Sequence, residues 1–297
     1  MDFAKSLLFC YTNRLKEGEL MNLVAKNIIT PEIFIPYGVE IELENVSYDE
    51  GERVIAKKVP KSFKIGVDNT LDYGGIEIRS SVLENTKENI VMFKKLSKTL
   101  KFLGATYDSA SFQTNLDAYD FSEDDILNFL KMFSVYENIV YRFSLGEDNH
   151  IRESAGDYAH PIRSHFYAKY NSNAKKRDRY LRYINAKSFS ISLKTLTTYK
   201  KDPVKVIEFR TPNGTSDYRL WLNYITFFSS FLNCVKTKCF DKELIDYKFE
   251  NLTGLLQKDL FSIDEGNANE LADMIFKDQV DKDNFKEQYF SQDRRLI

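Results

Sequence analysis

Gly-Val-Glu-Ile-Glu-Leu-Glu, residues 38–44, alternates between apolar and acidic side chains after its first residue. Successive side chains of a β-strand point to opposite faces, so this stretch predicts a strand whose three aliphatic residues enter a core. Glu40, Glu42 and Glu44 then share the other face. Like charges side by side are unfavourable unless something neutralises them, and Mg²⁺ or Ca²⁺ prefers such oxygen ligands. The stretch therefore predicts a strand beside a cation site.

Three further segments, residues 76–79, 111–116 and 206–210, show the same alternation. Their polar faces carry Glu77 and Arg79, Gln113 and Asn115, and Glu208 and Arg210. Each segment alone is better explained by solvated charges on a half-exposed strand. Four such strands in one sheet predict an apolar face covered by helices and a concave polar face. Residues two apart on a strand are about 6.5–7 Å apart, which suits two metal ions about 3.5–4 Å apart.

The order of the remaining elements predicts an α+β fold, with a mostly antiparallel sheet and helices on one face. Amphipathic patterns and capping residues predict helices over 86–103, 122–143 and 217–235. Additional strands are expected over 53–56, 63–67 and 180–185. Strand spacing is too irregular for repeated βαβ units.

Three regions follow from this pattern. Residues 1–30 are predicted to form a helical segment, 31–238 a catalytic domain and 239–297 a helical C-terminal extension. Within the domain, residues 144–178 are polar and lack apolar periodicity, which predicts a functional loop or lid.

Charge and composition exclude several classes of protein. Lys and Arg number 42 and Asp and Glu 44, a formal net charge of −2, which gives no overall reason to bind nucleic acid or an anionic membrane. The apolar stretch 220–235 is shorter than the roughly 20 residues that a bilayer requires, so we expect a buried helix. The N-terminal apolar run 7–11 is too short for a signal peptide. We expect a cytoplasmic protein whose three cysteines, Cys10, Cys234 and Cys239, are core residues.

Five motifs in a fixed order carry a resemblance to a known family. They are Tyr-Gly-Val-Glu-Ile-Glu at 37–42, Asp-Asn-Thr at 68–70, Gly-Ile-Glu-Ile-Arg-Ser at 75–80, Arg-Tyr-Ile-Asn at 182–185, and Ile-Glu-Phe-Arg at 207–210 followed by Gly-Thr at 214–215. Taken together, over about residues 35–230, the chain resembles the amidoligase family. These are carboxylate–amine ligases related to glutamine synthetase and glutamate–cysteine ligase.

The resemblance implies a glutamine-synthetase-like catalytic sheet that binds ATP with two or more Mg²⁺ ions. The implied metal ligands are Glu40, Glu42, Glu77 and Glu208. Arg210 would contact phosphate or the activated carboxylate. Arg182 and Asn185 would line the nucleotide or substrate side. The sequence has no glycine-rich phosphate loop, so metal ions and strand-borne side chains must hold the nucleotide.

The implied reaction joins a peptide or amino-acid carboxylate to an amine donor through an acyl phosphate. Arg210, with Arg182 or Arg142, would stabilise charge on the transferring group. Asp68 and a carboxylate from 144–178 are candidates for the base that deprotonates the amine. Relatives often build rings, so a homo-oligomer is left open.

One motif departs from the family pattern. The family carries His-x-His on the strand after the first helix, whereas this chain has Gln113 and Asn115. Amides can coordinate Mg²⁺ through their carbonyls or hold phosphate, but they cannot carry protons. Two alternatives therefore stay open: a catalytically impaired relative that binds nucleotide or peptide for a partner, and a metal-dependent nuclease or hydrolase that needs no ATP.

Overall fold

The computed structural model describes residues 31–59, 63–71, 75–146, 151–152, 154–172, 188–197, 205–256 and 259–291. Its strands are β1 (Tyr37–Leu43), β2 (Phe63–Val67), β3 (Ile76–Ser80), β4 (Phe112–Asp117), β5 (Ile191–Ser192) and β6 (Val206–Phe209). They form one six-stranded sheet in the order β2-β3-β1-β4-β6-β5, and every neighbouring pair is antiparallel. The predicted α+β fold is confirmed. The helical segment 1–30 and the strand 180–185 lie outside the described residues.

The helices begin and end as follows: α1 (Tyr48–Glu50), α2 (Lys87–Leu103), α3 (Glu123–Val135), α4 (Glu137–Ser144), α5 (Ala155–Tyr158), α6 (Arg163–Ser172), α7 (Lys194–Thr197), α8 (Tyr218–Thr237), α9 (Lys242–Glu250), α10 (Thr253–Leu256), α11 (Glu265–Ile275) and α12 (Gln279–Ser291). A π-helical turn, Gly51–Ile55, follows α1. The strand predicted over 53–56 is therefore wrong. Gly51 packs so closely that a Cβ there would lie 2.7 Å from Ile76 Cδ1, which favours a compact turn at this point.

Helix caps are where the sequence predicts them. Thr86 accepts a hydrogen bond from Asn89 N at the start of α2, and Gly104 ends that helix in the left-handed region at φ 69°. Ser122 and Asp125 form a reciprocal capping box at the start of α3. The helix predicted over 122–143 is divided at Tyr136, whose φ of −104° and ψ of 16° interrupt the regular helix.

The apolar face of the sheet packs against α8, which α2 and α3 flank. Trp221 stacks on Phe112 with ring centroids 6.1 Å apart, and Phe228 stacks on Phe209 at 4.2 Å. All four rings are fully buried. This packing confirms that the alternating strands present their apolar sides to helices, and it leaves their polar sides on the opposite face.

The polar segment 144–178 is more ordered than predicted. Its described part contains α5 and α6, and Ile162 and Phe166 are fully buried in the same core as the sheet. The expectation of an irregular loop is therefore wrong for this part, which contains helices and contributes to the core. The C-terminal region is helical, as predicted, and Phe249 and Phe285 join that core as well.

The cysteine prediction needs a correction. Cys234 is buried near the end of α8, but Cys239 is exposed, and the two form a disulfide. Lys238 ends α8 in the left-handed region, which turns the chain back and brings the two cysteines together. Within the described ranges, no helix combines the length and hydropathy that a membrane crossing needs.

Candidate active site

The sheet register brings the predicted polar residues of neighbouring strands together. Glu42 of β1 lies directly opposite Glu77 of β3. Glu40 lies between Arg79 on one side and Gln113 on the other. Two residues further along β4, Asn115 lies opposite Glu208 of β6. Because facing residues of antiparallel strands point to the same side, these polar side chains occupy one face.

A cavity of about 350 Å³ opens on this face. Its walls are formed by Glu40, Glu42, Val67, Asp68, Thr70, Leu71, Glu77, Arg79, Ser111, Gln113, Arg152, Ser154, Tyr158, Glu208 and Arg210. Carboxylates and arginines converge here from the three strands β1, β3 and β6, from the residues that directly follow β2 and β6, and from the segment before α5. Such a concave site with convergent charged groups is where binding or catalysis is expected.

Three carboxylates in the cavity lie close enough to share one cation. One oxygen each from Glu42, Asp68 and Glu77 lies within 4.8 Å of the others. Asp68 follows β2, and its Oδ1 accepts hydrogen bonds from the Thr70 N–H at 2.8 Å and the Thr70 hydroxyl at 2.6 Å. This turn fixes Asp68 beside the two strand-borne glutamates. Three hard oxygen donors at this spacing fit Mg²⁺ or Ca²⁺.

Burial makes this cluster electrostatically costly in the absence of a cation. Burial, a hydrogen bond with Glu40 and the Glu40 charge raise the pKa of Glu77 to about 8, although Arg79, 2.9 Å away, opposes the shift. Burial also raises the pKa of Glu42, and hydrogen bonds from Ser111 and the charge of Arg152 partly offset it. The cluster therefore retains a proton near neutral pH or takes up a cation in its place.

Two amides on β4 orient the glutamates of β1. Gln113 Nε2 donates to Glu42 Oε1 at 2.6 Å, and Asn115 Nδ2 donates to Glu40 Oε1 at 2.8 Å. The Ser111 N–H donates to Glu42 Oε2 at 2.7 Å. In this arrangement the amides that replace His-x-His hold the carboxylates in place through their N–H groups, and each glutamate keeps a defined direction toward the cavity.

The sequence model of a family described as "putative amidoligase enzyme" matches residues 35–232, more than half of the chain. The chain belongs to this amidoligase family. No curated protein matches the chain. The matched range includes all six strands and every cavity-lining residue from Glu40 to Arg210, so the family's region is the sheet that carries the site.

Most of the residues implied by the amidoligase resemblance meet in the cavity. Those that line it are Glu40, Glu42, Asp68, Glu77, Gln113, Glu208 and Arg210. Asn115 reaches the site through its hydrogen bond to Glu40. Arg210 Nη2 lies 2.6 Å from Glu208 Oε1, so this arginine enters the cavity beside an implied metal ligand. Arg182 and Asn185 lie outside the described residues.

Two expectations about this face need correction. Arg142 does not line the cavity: its Nη1 donates to the Phe261 carbonyl at 2.7 Å and its Nε to the Tyr289 carbonyl at 3.2 Å. The sequence places Arg142 on a helix but does not reveal which neighbours that side of the helix meets. Glu44 is also outside the cavity, because it is buried and accepts hydrogen bonds from Ser109.

Arg152 and Ser154 line the cavity, and nothing in the strand pattern predicts them. Both lie in the segment 144–178, whose polar composition indicates function without indicating which residues carry it. Arg152 is buried, with 2% of its surface exposed. Only the tertiary fold brings this segment onto the polar face of the sheet.

Proposed function

We propose that this family member is an ATP- and Mg²⁺-dependent carboxylate–amine ligase that forms an amide bond through an acyl phosphate. The observation that carries the proposal is the cluster of Glu42, Asp68 and Glu77, whose oxygens lie within 4.8 Å of one another in a cavity that Arg210 also lines. One cavity thus offers carboxylates that could hold a cation and an arginine that could contact phosphate, the two kinds of group that neutralise charge in phosphoryl transfer.

The proposed reaction has two steps. A substrate carboxylate oxygen attacks the γ-phosphorus of ATP, the bond to the β-phosphate oxygen breaks, and ADP leaves. The amine nitrogen then attacks the carbonyl carbon of the acyl phosphate and loses a proton, and inorganic phosphate leaves with the pair of electrons from the C–O bond. Phosphoryl transfer depends mainly on positioning and charge neutralisation. Mg²⁺, when bound, would neutralise phosphate charge.

The side chains of the cavity divide into three roles. Glu42, Asp68 and Glu77 would hold one cation, and Glu40 and Glu208 are further proposed ligands, of which Glu208 lies beside Arg210. Arg210 would contact the transferring phosphoryl group, with Glu208 fixing its guanidinium. Because Asp68 belongs to the cation cluster, we assign it as a ligand in preference to a base. The proposed substrates are a peptide or amino-acid carboxylate and an amine donor.

A second candidate function is binding without catalysis. The amides of Gln113 and Asn115 donate to glutamates where the family carries imidazoles, so this pair cannot move protons. A relative of this kind would bind ATP or a peptide for a partner. Tight ATP binding without release of ADP, whichever amine is supplied, would favour this function over the ligase.

The deciding experiment measures ADP release by the full chain with ATP, Mg²⁺ and pooled amino acids. We expect release that depends on Mg²⁺ and falls at least about 10²-fold in Glu42→Gln and Glu77→Gln, because each change removes a charged ligand. Glu52→Gln is the matched control, since Glu52 is exposed and bonds Tyr48 outside the cavity. Metal-dependent cleavage of a nucleic acid without ATP would instead indicate a nuclease.

A further inference from the structure

Arg152 forms an unusually complete set of hydrogen bonds beneath the cavity. Its Nη1 donates to the carbonyls of Thr211 at 3.1 Å and Pro212 at 2.9 Å, and its Nη2 to the carbonyl of Arg210 at 2.7 Å. Its Nε donates to Ser154 Oγ at 3.0 Å. One guanidinium thus binds three consecutive carbonyls of the segment that leaves β6.

The segment 210–212 needs such a partner because it has just left the sheet. Arg210 N still donates to the Ser190 carbonyl at 2.9 Å, but the ladder between β4 and β6 ends at Phe209. The Pro212 carbonyl also accepts a hydrogen bond from the Phe112 N–H at 3.2 Å, and buried carbonyls without donors would cost free energy. Arg152 adds a second donor at Pro212, supplies donors to the Arg210 and Thr211 carbonyls, and so holds the backbone from which the Arg210 side chain extends.

Arg152 and its neighbour Ser154 are themselves held by hydrogen bonds to two other segments. The Arg152 N–H donates to Asn213 Oδ1 at 3.1 Å, so the backbone of one segment and the side chain of the other are reciprocally bound. Ser154 Oγ donates to the Ser109 carbonyl at 2.5 Å, which ties the same segment to the loop before β4. Arg152 therefore cannot shift without moving the walls of the cavity.

The charge of Arg152 also acts on the site. Its strongest attraction is to Glu42, and it repels Arg210. Burial lowers the pKa of Arg152 to about 10, so the side chain stays protonated at neutral pH. The fixed positive charge of Arg152 favours the ionised form of the Glu42 carboxylate. The same charge repels the guanidinium of Arg210 and so directs it away from Arg152.

We propose that Arg152 is a positioning residue that sets the location of Arg210 relative to the cation cluster, and so acts on phosphoryl transfer through Arg210. This inference rests on the proposed ligase function. A planar guanidinium is required, because a lysine ammonium carries the charge but cannot reach three carbonyls in a fixed fork.

A double-mutant cycle on ADP release tests the coupling. We expect Arg152→Lys to lower the rate at least about tenfold in the native background, and less than about twofold when Arg210 is already replaced in Arg210→Gln. The loss should be in kcat more than in KM for ATP. Equal losses in both backgrounds would show that Arg152 acts independently of Arg210 and would overturn the inference.

A second readout needs no activity. Hydrogen exchange of the metal-free protein should speed up in Arg152→Lys at the amides of Arg210, Asn213 and Gly214, with the other strands unchanged. Unchanged exchange at these three amides would overturn the inference. If the native protein releases no ADP, the ligase proposal fails while this exchange result still decides the role of Arg152.

Two further variants keep the test decisive if Arg152→Lys does not fold. Ser154→Ala removes the acceptor of Arg152 Nε together with the hydrogen bond to the Ser109 carbonyl, and should speed up exchange at the same amides to a smaller extent, even if Arg152→Lys does not fold. Arg142→Lys is the matched control, because Arg142 is also a buried arginine bound to carbonyls, but outside the cavity. The effects of Arg142→Lys and Arg210→Gln on ADP release should be additive. Coupling between Arg142 and Arg210 as strong as that between Arg152 and Arg210 would contradict the proposal.

Discussion

Glu42 and Glu77 face each other directly across the β1–β3 ladder, with both side chains on the polar face of the sheet. Two carboxylates in such a cross-strand pair destabilise a sheet unless a proton or a cation lies between them. Asp68 adds a third oxygen to the same position. The pair is therefore expected to reduce the stability of the metal-free protein, and it supplies two of the three carboxylates of the proposed cation site.

Replacing Glu77 should separate these two effects. In Glu77→Gln we expect Mg²⁺ affinity, measured by isothermal titration calorimetry, to fall at least about tenfold, because one charged ligand is lost. Thermal unfolding in EDTA at pH 8.5 should occur at a temperature no lower than in the native protein, since the like-charge pair is gone. A large drop in unfolding temperature with unchanged Mg²⁺ affinity would show that Glu77 is structural.

Stability of the metal-free protein should depend on pH through the same residue. The pKa of Glu77 is about 8 in the folded protein against 4.5 as its ordinary value. A raised carboxyl pKa means that the unfolded chain loses its proton first, so the free energy of unfolding falls as pH rises from about 4.5 to about 8. Denaturant titrations at several pH values should show this slope, and Glu77→Gln should flatten it. An equal slope in both proteins would assign the pH dependence to other groups.

Added Mg²⁺ should stabilise the protein and release a proton. Binding to the folded state alone raises the free energy of unfolding by about 2.7 kcal/mol when the ion is present at 100 times its dissociation constant. Below pH 8 the bound ion displaces the proton of the cluster, so calorimetric heats should differ between buffers of different ionisation enthalpy. Equal heats in all buffers, with clear binding, would contradict the pKa assigned to Glu77.

Gln113 should matter for the cation although it need not contact it. Gln113→Met keeps a side chain of similar length but removes the donor to Glu42 Oε1. We expect a loss of about 10–100-fold in Mg²⁺ affinity, as is usual when a partner that orients a ligand is removed. Gln279→Met, at the exposed first residue of α12, is the control. Native affinity in Gln113→Met would show that the Ser111 N–H suffices to orient Glu42.

Replacing Arg142 should lower the free energy of unfolding and leave Mg²⁺ binding in the cavity unchanged. Arg142→Met leaves the half-buried carbonyl of Phe261 and the buried carbonyl of Tyr289 without this donor, which we expect to cost about 1–3 kcal/mol of unfolding free energy. Denaturant unfolding measures the loss, and Mg²⁺ affinity, measured in parallel, should stay within about twofold of native. A tenfold loss of Mg²⁺ affinity would show that Arg142 contributes to the functional site.

Local patterns in the sequence predict the sheet and its polar face well. The alternation in residues 38–44 predicts both the strand and the side on which Glu40 and Glu42 lie, because a two-residue period leaves no other choice. Caps at Thr86 and Ser122 predict helix starts for an equally local reason. The strand expected over 53–56 fails because a four-residue apolar pattern is too short to distinguish a strand from a turn of helix.

The sequence by itself determines that four strands carry acids and amides opposite apolar residues, and that their motifs are those of the amidoligase family. Only the tertiary structure decides which of those residues meet. The register places Glu42 opposite Glu77, and the turn after β2 adds Asp68. Register and long-range packing depend on contacts between distant segments, which no local pattern encodes. For that reason the sequence alone does not show that Arg142 bonds to the C-terminal region, whereas Arg152 bonds to the segment beside the cavity.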